Sequence, residues 1–300
     1  MPAAASETGD DVAFVITVAS ASGGSGKTFY AANLATYVAG LGHRTLLIDL
    51  DLQFGEVGAA LQIKHPYSIY DGLYDAQGNP LPGDSLDRHL HELVHRSELG
   101  FDVLLAPRDP TIGDTITAQD VELVIAVTTL QYDVVLIDTP PALTEIVLSV
   151  LDRSDVVTVL STLDVPSLRN LTSFLDVLQQ IDVGRDRVRL MLNKVESDIG
   201  IDVAQAQEAF GGRFIATLPA SKGASRSINT GTVVLRTEPK GQLARALVAS
   251  ILTVLPPELL PAAAIPDGVP SSLPDPSAPP PLKGLRALLR PRRSAPGGTP

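Results

Sequence analysis

Residues 12–28 read VAFVITVASASGGSGKT, and this stretch decides the fold. Its first eight residues form a β-branched apolar run that predicts a buried strand, while the following FYAANLATYVAG (29–40) predicts a helix. The glycines between them let the backbone turn tightly, so that its N–H groups and the positive end of the helix dipole can face one anion. The sequence therefore predicts a loop that binds phosphate groups between the first strand and the first helix.

The residues of this loop have separate expected roles. Lys27 would reach the β- and γ-phosphates of a nucleotide, and Thr28 would bind Mg²⁺ through its hydroxyl. The residues expected to surround the phosphates are Gly23, Gly24, Ser25 and Gly26. A flexible Gly/Ser turn is the alternative interpretation, and a Gly-Lys-Thr placed directly between a strand and a helix disfavours it.

Carboxylates stand at the ends of two further apolar runs. LLIDLD (46–51) ends with Asp49 and Asp51, whose spacing lets both side chains face the same way. DVVLID (133–138) ends with Asp138 and has the form of a Walker B strand, which holds Mg²⁺ through water. A single strand-terminal aspartate is usually a turn or cap residue. Three of them beside a phosphate loop predict one metal–nucleotide site.

Apolar runs alternate with amphipathic stretches along the chain, which predicts a parallel sheet connected by helices. We therefore expect a three-layer α/β fold of the P-loop NTPase type, with a mostly parallel central sheet of about seven or eight strands flanked by helices. The predicted strands are 12–19, 45–49, 101–106, 134–138, 156–160, 188–192 and 214–218. The predicted helices are 28–39, 84–96, 117–130, 142–151, 166–180, 202–209 and 241–254.

Composition narrows the classes of function. The absence of cysteine excludes disulfides, thiolate metal sites and cysteine nucleophiles. A net charge of −11 disfavours nucleic acid as a partner, because an acidic surface repels a phosphate backbone. The first residues lack the pattern of a signal peptide, and no apolar run is long enough to span a bilayer, so we expect a cytoplasmic protein.

Proline marks the expected end of the folded domain. Thirteen of the 24 prolines lie in residues 256–300, which predicts a disordered, partly extended tail. The expected organisation is a short disordered tail (1–11), one nucleotide-binding domain (12–255) and the Pro-rich tail. Within that tail, residues 282–293 carry five Lys or Arg side chains and four leucines that share one side of a helix.

Several segments resemble one known family. SGGSGKT (22–28), LLIDLDLQFGEVG (46–58) and YDVVLIDTPP (132–141) resemble the MinD/ParA class of P-loop ATPases with a deviant Walker A loop. Further segments resemble the CpaE/TadZ branch of that class, which acts in Flp/tad pilus assembly, and the similarity covers roughly residues 12–250. These segments are FDVLLAPRDP (101–110), DVPSLRNLTSFLDVL (164–178), VRLMLNKVES (188–197) and FIATLPASKGASRSINTG (214–231).

The resemblance implies roles for particular residues. Asp51 would position or activate the attacking water, with Lys27 as the other catalytic group and Asp49 supporting the Mg²⁺ shell. Asn193 would hydrogen-bond adenine, and the loop at Pro219 would border the base. Members of this branch bind ATP or ADP with Mg²⁺, form nucleotide-dependent homodimers and place a pilus or secretion machine at a cell pole.

One departure from the family pattern bears on activity. The class has a lysine before its Gly-Gly pair that reaches the partner's phosphates across the dimer, and here the position is Ser22. Hydrolysis is then expected to be slow, unless Lys222 or Arg226 supplies the cation. The alternative for these two side chains is that they are solvated loop charges. The alternative for the whole protein is a nucleotide-binding scaffold that does not hydrolyse ATP. A septum-site regulator of the MinD type is a further alternative.

Two other segments allow a second interpretation. His91-Glu92-Leu-Val-His95 matches the H-E-x-x-H pattern of zinc proteases, within the predicted helix 84–96. The usual extension is absent and only a distant residue such as Glu122 could be a third ligand, so a chance match is favoured. The basic segment 282–293 predicts contact with anionic membrane, as a MinD tail makes, with a partner-docking peptide or a solvated tail as the alternatives.

Overall fold

A central sheet of eight strands organises the chain in the computed structural model, which describes residues 12–196 and 201–261. The strands are β1 (Phe14–Ala19), β2 (Thr45–Asp49), β3 (His95–Arg96), β4 (Asp102–Leu104), β5 (Val134–Asp138), β6 (Val156–Thr162), β7 (Val188–Val195) and β8 (Phe214–Pro219). Their order is β3-β4-β2-β5-β1-β6-β7-β8, and every neighbouring pair is parallel except β3 with β4. The carboxyl ends of seven strands therefore meet at one edge of the sheet.

Helices connect the parallel strands. They are α1 (Lys27–Gly40), α2 (Glu56–Ala60), α3 (Ser85–Leu93), α4 (Pro110–Gly113), α5 (Ala118–Thr128), α6 (Glu145–Arg153), α7 (Val165–Gln180), α8 (Val203–Ala209), α9 (Lys222–Asn229), α10 (Val234–Thr237) and α11 (Gln242–Val254). Single 3-10 turns span Tyr70–Gly72, Arg185–Arg187 and Pro257–Leu259. None of the helices in the described ranges is long and apolar enough to cross a membrane.

Both faces of the sheet are buried, which gives the molecule three layers. Alternating side chains of β1 point to opposite faces, so that Ile16 and Val18 pack with α1 and α11. Val15 packs on the other face, in a core that includes α3 and α5. A third cluster continues that second face over β6 and β7, where α7 and α8 cover the strands. This burial explains why the strands read as unbroken apolar runs.

The predicted fold is confirmed: all seven predicted strands are present in a mostly parallel sheet flanked by helices. The eighth strand is the two-residue β3, at an edge. It lies where the sequence predicts the end of a helix, because α3 ends at Leu93 and Val94 adopts an extended backbone. The prediction of a helix over 84–96 is therefore wrong for its last residues. The helices α2, α4, α9 and α10 have four to eight residues each and were not predicted.

The folded chain continues slightly beyond residue 255. Leu259 and Leu260 are partly buried against the core, and His43 Nε2 lies 2.9 Å from the carbonyl oxygen of Leu259. Residues 256–261 thus differ from the predicted disordered tail. The predicted tails over 1–11 and 262–300, including the basic segment 282–293, lie outside the described residues, so those predictions stay predictions.

Candidate functional site

The predicted phosphate loop joins β1 to α1 at the carboxyl edge of the sheet, between β5 and β6. Gly24 and Gly26 have φ angles of +68° and +92°, in the region that glycine enters without steric cost. Gly26 is also the residue before α1, so the helix begins directly at Lys27. The loop therefore presents the free N–H groups of a helix start at the place where parallel sheets bind ligands.

Thr28 links this loop to the end of β5. Its hydroxyl oxygen Oγ1 lies 2.5 Å from Asp138 Oδ2 and 3.0 Å from Glu56 Oε2, and the hydroxyl can donate to either carboxylate. Two carboxylates therefore converge on the Thr28 hydroxyl, whose single proton can be donated to only one of them at a time. Burial raises the pKa of Asp138 to about 7, although the bond from Thr28 and the charge of Lys27 lower it. Carboxylates held together in this way suit a divalent cation.

Asp49 and Asp51 follow β2, the neighbour of β5, and the structure gives them different surroundings. Asp49 lies beside Asp138 in the sheet, and its two carboxylate oxygens accept the N–H groups of Asp51 (3.1 Å) and Val57 (2.9 Å). Its pKa is raised well above the usual range by burial and by the charge of Asp138. Asp49 thus holds the loop that follows β2 in place. Asp51 accepts from Phe54 N at 3.2 Å, and its pKa is also raised, chiefly by burial.

Unpartnered polar atoms mark the same place. Among the described residues, three buried side-chain polar atoms lack a hydrogen-bond partner: Ser25 Oγ, Asp138 Oδ1 and Thr158 Oγ1. Two of the three belong to the phosphate loop and the Walker B strand, so each would gain a partner from a bound phosphate or a metal-bound water. No three His, Asp or Glu side chains of the described chain form a metal site on their own. Mg²⁺ beside phosphates needs only one or two protein ligands, so the residues present fit this ion.

A cavity of about 580 Å³ adjoins the phosphate loop at Gly26. Asn193 and Pro219, predicted to contact the base, both line it together with Gly26 and Phe29. The amide of Asn193 donates to the carbonyl of Ser25 at 2.7 Å and accepts from its neighbour's backbone N–H. Because an amide nitrogen has two N–H donors, one remains for a ligand. The cavity can hold a base while Asn193 keeps its contact with the loop.

Neutral groups surround Ser22, the position where the resemblance to the MinD/ParA class implies a lysine. Ser22 Oγ accepts from Asn170 of α7 at 3.2 Å, and the Ser22 carbonyl accepts from Ser20 Oγ at 2.8 Å. Arg226 is paired with Glu238 at 3.2 Å on the surface. Lys222 begins α9 and lines the cavity. Both cations therefore belong to a helix, where the sequence suggested a loop.

The H-E-x-x-H match is not brought together as a zinc site. His91 lies on α3 with an exposed ring, whereas His95 belongs to β3 and its ring packs edge-on against His65. The two imidazoles therefore do not share one helix face, which the zinc geometry requires. Glu122 forms an ion pair with Arg153 at 2.7 Å.

Sequence reasoning missed two residues that contact the site. Glu56, the first residue of α2, reaches Thr28, and only its nearness to Asp49 and Asp51 in the sequence could have indicated this. Lys194 donates from Nζ to the carbonyl of Gly24 at 2.7 Å, although 170 residues separate the two. Its place directly after Asn193 was the available signal.

Stability should respond to pH through Asp138. Its pKa is about 7 when folded, against about 3.9 for an unfolded aspartate, so the folded chain holds a proton between these values. The stabilisation from this proton is complete below about pH 4 and is lost as the pH rises through about 7. Between about pH 4.5 and about pH 8, the nucleotide-free wild-type protein should lose about 3 kcal/mol of stability that the Asp138→Asn variant keeps.

Urea unfolding at these two pH values measures the effect. Asp152→Asn, an exposed aspartate on α6, is the matched control and should follow the wild-type profile. An Asp138→Asn profile as steep as that of wild type would contradict the assignment of the proton to Asp138.

Comparison with known proteins agrees with this architecture. A family model for an AAA domain, AAA_31, matches residues 13–190. The chain is 36% identical over 184 residues to the chromosome-partitioning ATPase Soj of Thermus thermophilus. That match covers 59% of this chain and 66% of Soj, which is just under two thirds of its length.

Solved structures share the fold at lower identity. A ParA family ATPase from Chlorobium tepidum has a TM-score of 0.70 at 22% identity, over 80% of this chain and 98% of that one. The septum site-determining protein MinD of Pyrococcus horikoshii, solved with Mg-ADP, has a TM-score of 0.65 at 19% identity. The latter alignment covers 81% of this chain and 96% of that MinD. The chain therefore belongs to the AAA_31 family of AAA domains and is a P-loop protein of the MinD/ParA class.

Proposed function

We propose that this chain binds ATP and ADP with Mg²⁺ and acts as a nucleotide-dependent positioning protein. The observation that carries the proposal is the pair of buried, unpartnered atoms Ser25 Oγ and Asp138 Oδ1, at the loop and strand where a nucleotide is expected. Thr28 and Asp138 would hold the metal, with Asp49 supporting the metal shell and fixing the loop beside them. Bound Mg²⁺ would neutralise phosphate charge that Lys27 alone cannot balance.

The base would occupy the cavity beside the phosphate loop. Asn193 has one amide N–H left for it, and Pro219 borders the space. Gly26 lies at the junction of this cavity with the loop, so a nucleotide can place its base and its phosphates on opposite sides of that residue. This arrangement supports a nucleotide, and the likeness to the ATPase Soj supports adenine as its base.

The proposal for the biological role rests on the sequence segments that resemble the CpaE/TadZ branch. We place the chain in that branch, as a homodimer around nucleotide that localises a pilus or secretion assembly machine. Its ATP turnover would be slow, because Ser22 and its neighbours Ser20 and Asn170 offer only neutral groups where the class has a lysine. Cytoplasmic location with peripheral membrane contact through residues 282–293 belongs to the same proposal.

A nucleotide-binding scaffold without hydrolysis is the second candidate, and Ser22 is the observation that favours it. Phosphate release separates the two. If the chain hydrolyses ATP, Asp51→Ala should lower release by about tenfold or more, since Asp51 would orient the attacking water. Asp152→Ala is the control that should leave the rate unchanged. Wild-type release no faster than that of Asp51→Ala would support the scaffold.

Nucleotide-driven dimerisation tests the wider proposal. Mass measurement in solution should give a dimer with Mg²⁺ and a slowly hydrolysed ATP analogue, and a monomer with Mg-ADP. One mass in both states would contradict the nucleotide-dependent dimer. Dimerisation combined with localisation at the division septum, and not at a pole, would favour the alternative of a MinD-like regulator.

A further inference from the structure

Two consecutive residues near the end of β7 donate side-chain hydrogen bonds to the backbone of the phosphate loop. Asn193 Nδ2 donates to the carbonyl of Ser25, and Lys194 Nζ donates to the carbonyl of Gly24, each at 2.7 Å. These carbonyls belong to consecutive peptide units in the turn of the loop. A loop whose carbonyls are held outward leaves its N–H groups free to face an anion. The end of β7 therefore contributes to the shape that a phosphate needs.

The backbone at Lys194 is unusual for a residue of this kind. Its φ is +56°, in the left-handed region that residues other than glycine rarely adopt. Glycine would fit this backbone more easily, yet the position is occupied by a lysine whose side chain crosses to the loop. Non-glycine residues in this region persist where surrounding contacts determine them, and they are frequent at ligand sites.

Lys194 also differs from the other cations near the site. Lys27 starts α1 within the loop, Arg226 is paired with Glu238, and Lys222 lines the same cavity as the first residue of α9. Lys194 has an exposed side chain, contacts the loop itself and lines the base cavity. An ammonium has three N–H donors, and the bond to Gly24 uses one of them.

We propose that Lys194 is a positioning residue of the nucleotide site, which together with Asn193 holds the phosphate loop in its nucleotide-ready shape before nucleotide binds. It also places a second positive charge beside the loop, in a chain that has Ser22 where its class has a lysine. The inference deepens the proposed nucleotide binding and rests on it.

Hydrogen exchange of the nucleotide-free protein tests the effect on the loop directly. Lys194→Met keeps the alkyl chain and the backbone strain but removes the ammonium. The amides of residues 22–28 should exchange several-fold faster in this variant, while those of β1 and β5 keep their wild-type rates. The matched control is Lys240→Met, which changes an exposed lysine outside the loop and should leave the exchange rates of residues 22–28 unchanged.

Binding of Mg-ADP, measured by calorimetry, gives the second readout. Lys194→Met should weaken it about tenfold, as expected for loss of a charge-assisted bond at a partly solvated site, and should reduce its salt dependence. Lys194→Arg should recover part of the affinity. Lys194→Gly relieves the backbone strain, so this variant should fold at least as well as wild type yet bind as weakly as Lys194→Met.

The outcomes distinguish failure of the positioning role of Lys194 from failure of the proposed nucleotide binding. Wild-type exchange rates in Lys194→Met and Lys194→Gly would overturn the positioning role, and so would unchanged Mg-ADP affinity in both. Failure of the wild-type chain to bind Mg-ADP would instead overturn the proposed function, while the exchange measurement would still report on Lys194.

Discussion

Lys27→Ala should weaken binding of Mg-ADP and Mg-ATP at least about 100-fold, because it removes a charge-assisted contact to phosphate at a buried site. Lys27 is the only lysine or arginine that is buried in the part of the chain that the structure describes. A cation is removed from water only where charge of the opposite sign compensates it. The aspartates Asp51 and Asp138 supply part of that charge, and phosphate oxygens would supply the rest.

The control for this variant has to separate binding from folding. Removing Lys27 leaves Asp138 without a cation that lowers its pKa, so thermal unfolding of the nucleotide-free variant is measured beside calorimetry. Lys240→Ala removes the same group from an exposed position and should bind as wild type does. A folded Lys27→Ala chain with less than about tenfold loss of affinity would contradict the assignment of Lys27 to phosphate.

The fold could be predicted because its strands are buried on both faces. The run 134–138 is apolar up to its final carboxylate, so its bounds and the edge where it ends can both be read from the sequence. Short elements without such a run were missed. The helix α9 contains small and polar residues, and β3 has only two residues whose pairing depends on β4. Tertiary packing determines these elements, and no local pattern reports it.

The sequence predicts those residues of the candidate site that belong to the phosphate-loop motif or follow directly on a buried strand. Thr28 and Asp138 follow from two such patterns, and the structure places them in contact. Glu56 and Lys194 follow from neither, because each reaches the loop from a different connection. The resemblance predicts that Asp49 supports the Mg²⁺ shell, which stays a prediction, and the structure adds that its oxygens accept two backbone N–H groups. Sequence proximity places a carboxylate near a site, but the backbone around it decides what it contacts.

Gly26→Ala should damage both folding and binding, and the structure offers a matched comparison at Gly24. A Cβ at Gly26 would lie 2.4 Å from Asn193 Nδ2, on a backbone with φ of +92°. A Cβ at Gly24 would meet nothing within 4 Å, on a backbone with φ of +68°. Gly24→Ala therefore adds only backbone strain, of about 1 kcal/mol. Gly26→Ala adds this strain and also displaces the buried, hydrogen-bonded amide of Asn193.

We expect Gly26→Ala to lower the free energy of unfolding by about 2–3 kcal/mol, because it adds the loss of the bond from Asn193 to Ser25 to the strain. Nucleotide affinity should fall below detection, since the loop turns at this residue. Chemical denaturation and calorimetry measure the two effects. Equal losses of stability in Gly24→Ala and Gly26→Ala would exclude the contact with Asn193 as the cause.

The double variant Gly26→Ala/Asn193→Ala tests the contact itself. Asn193→Ala alone loses the bond to the loop, but it also removes the atom that a Cβ at Gly26 would meet. If that collision dominates, the double variant should be less destabilised than the sum of the two single variants, by about 1 kcal/mol. Additive losses would mean that the amide moves aside freely. The close packing of Asn193 on the loop would then contribute little to its shape.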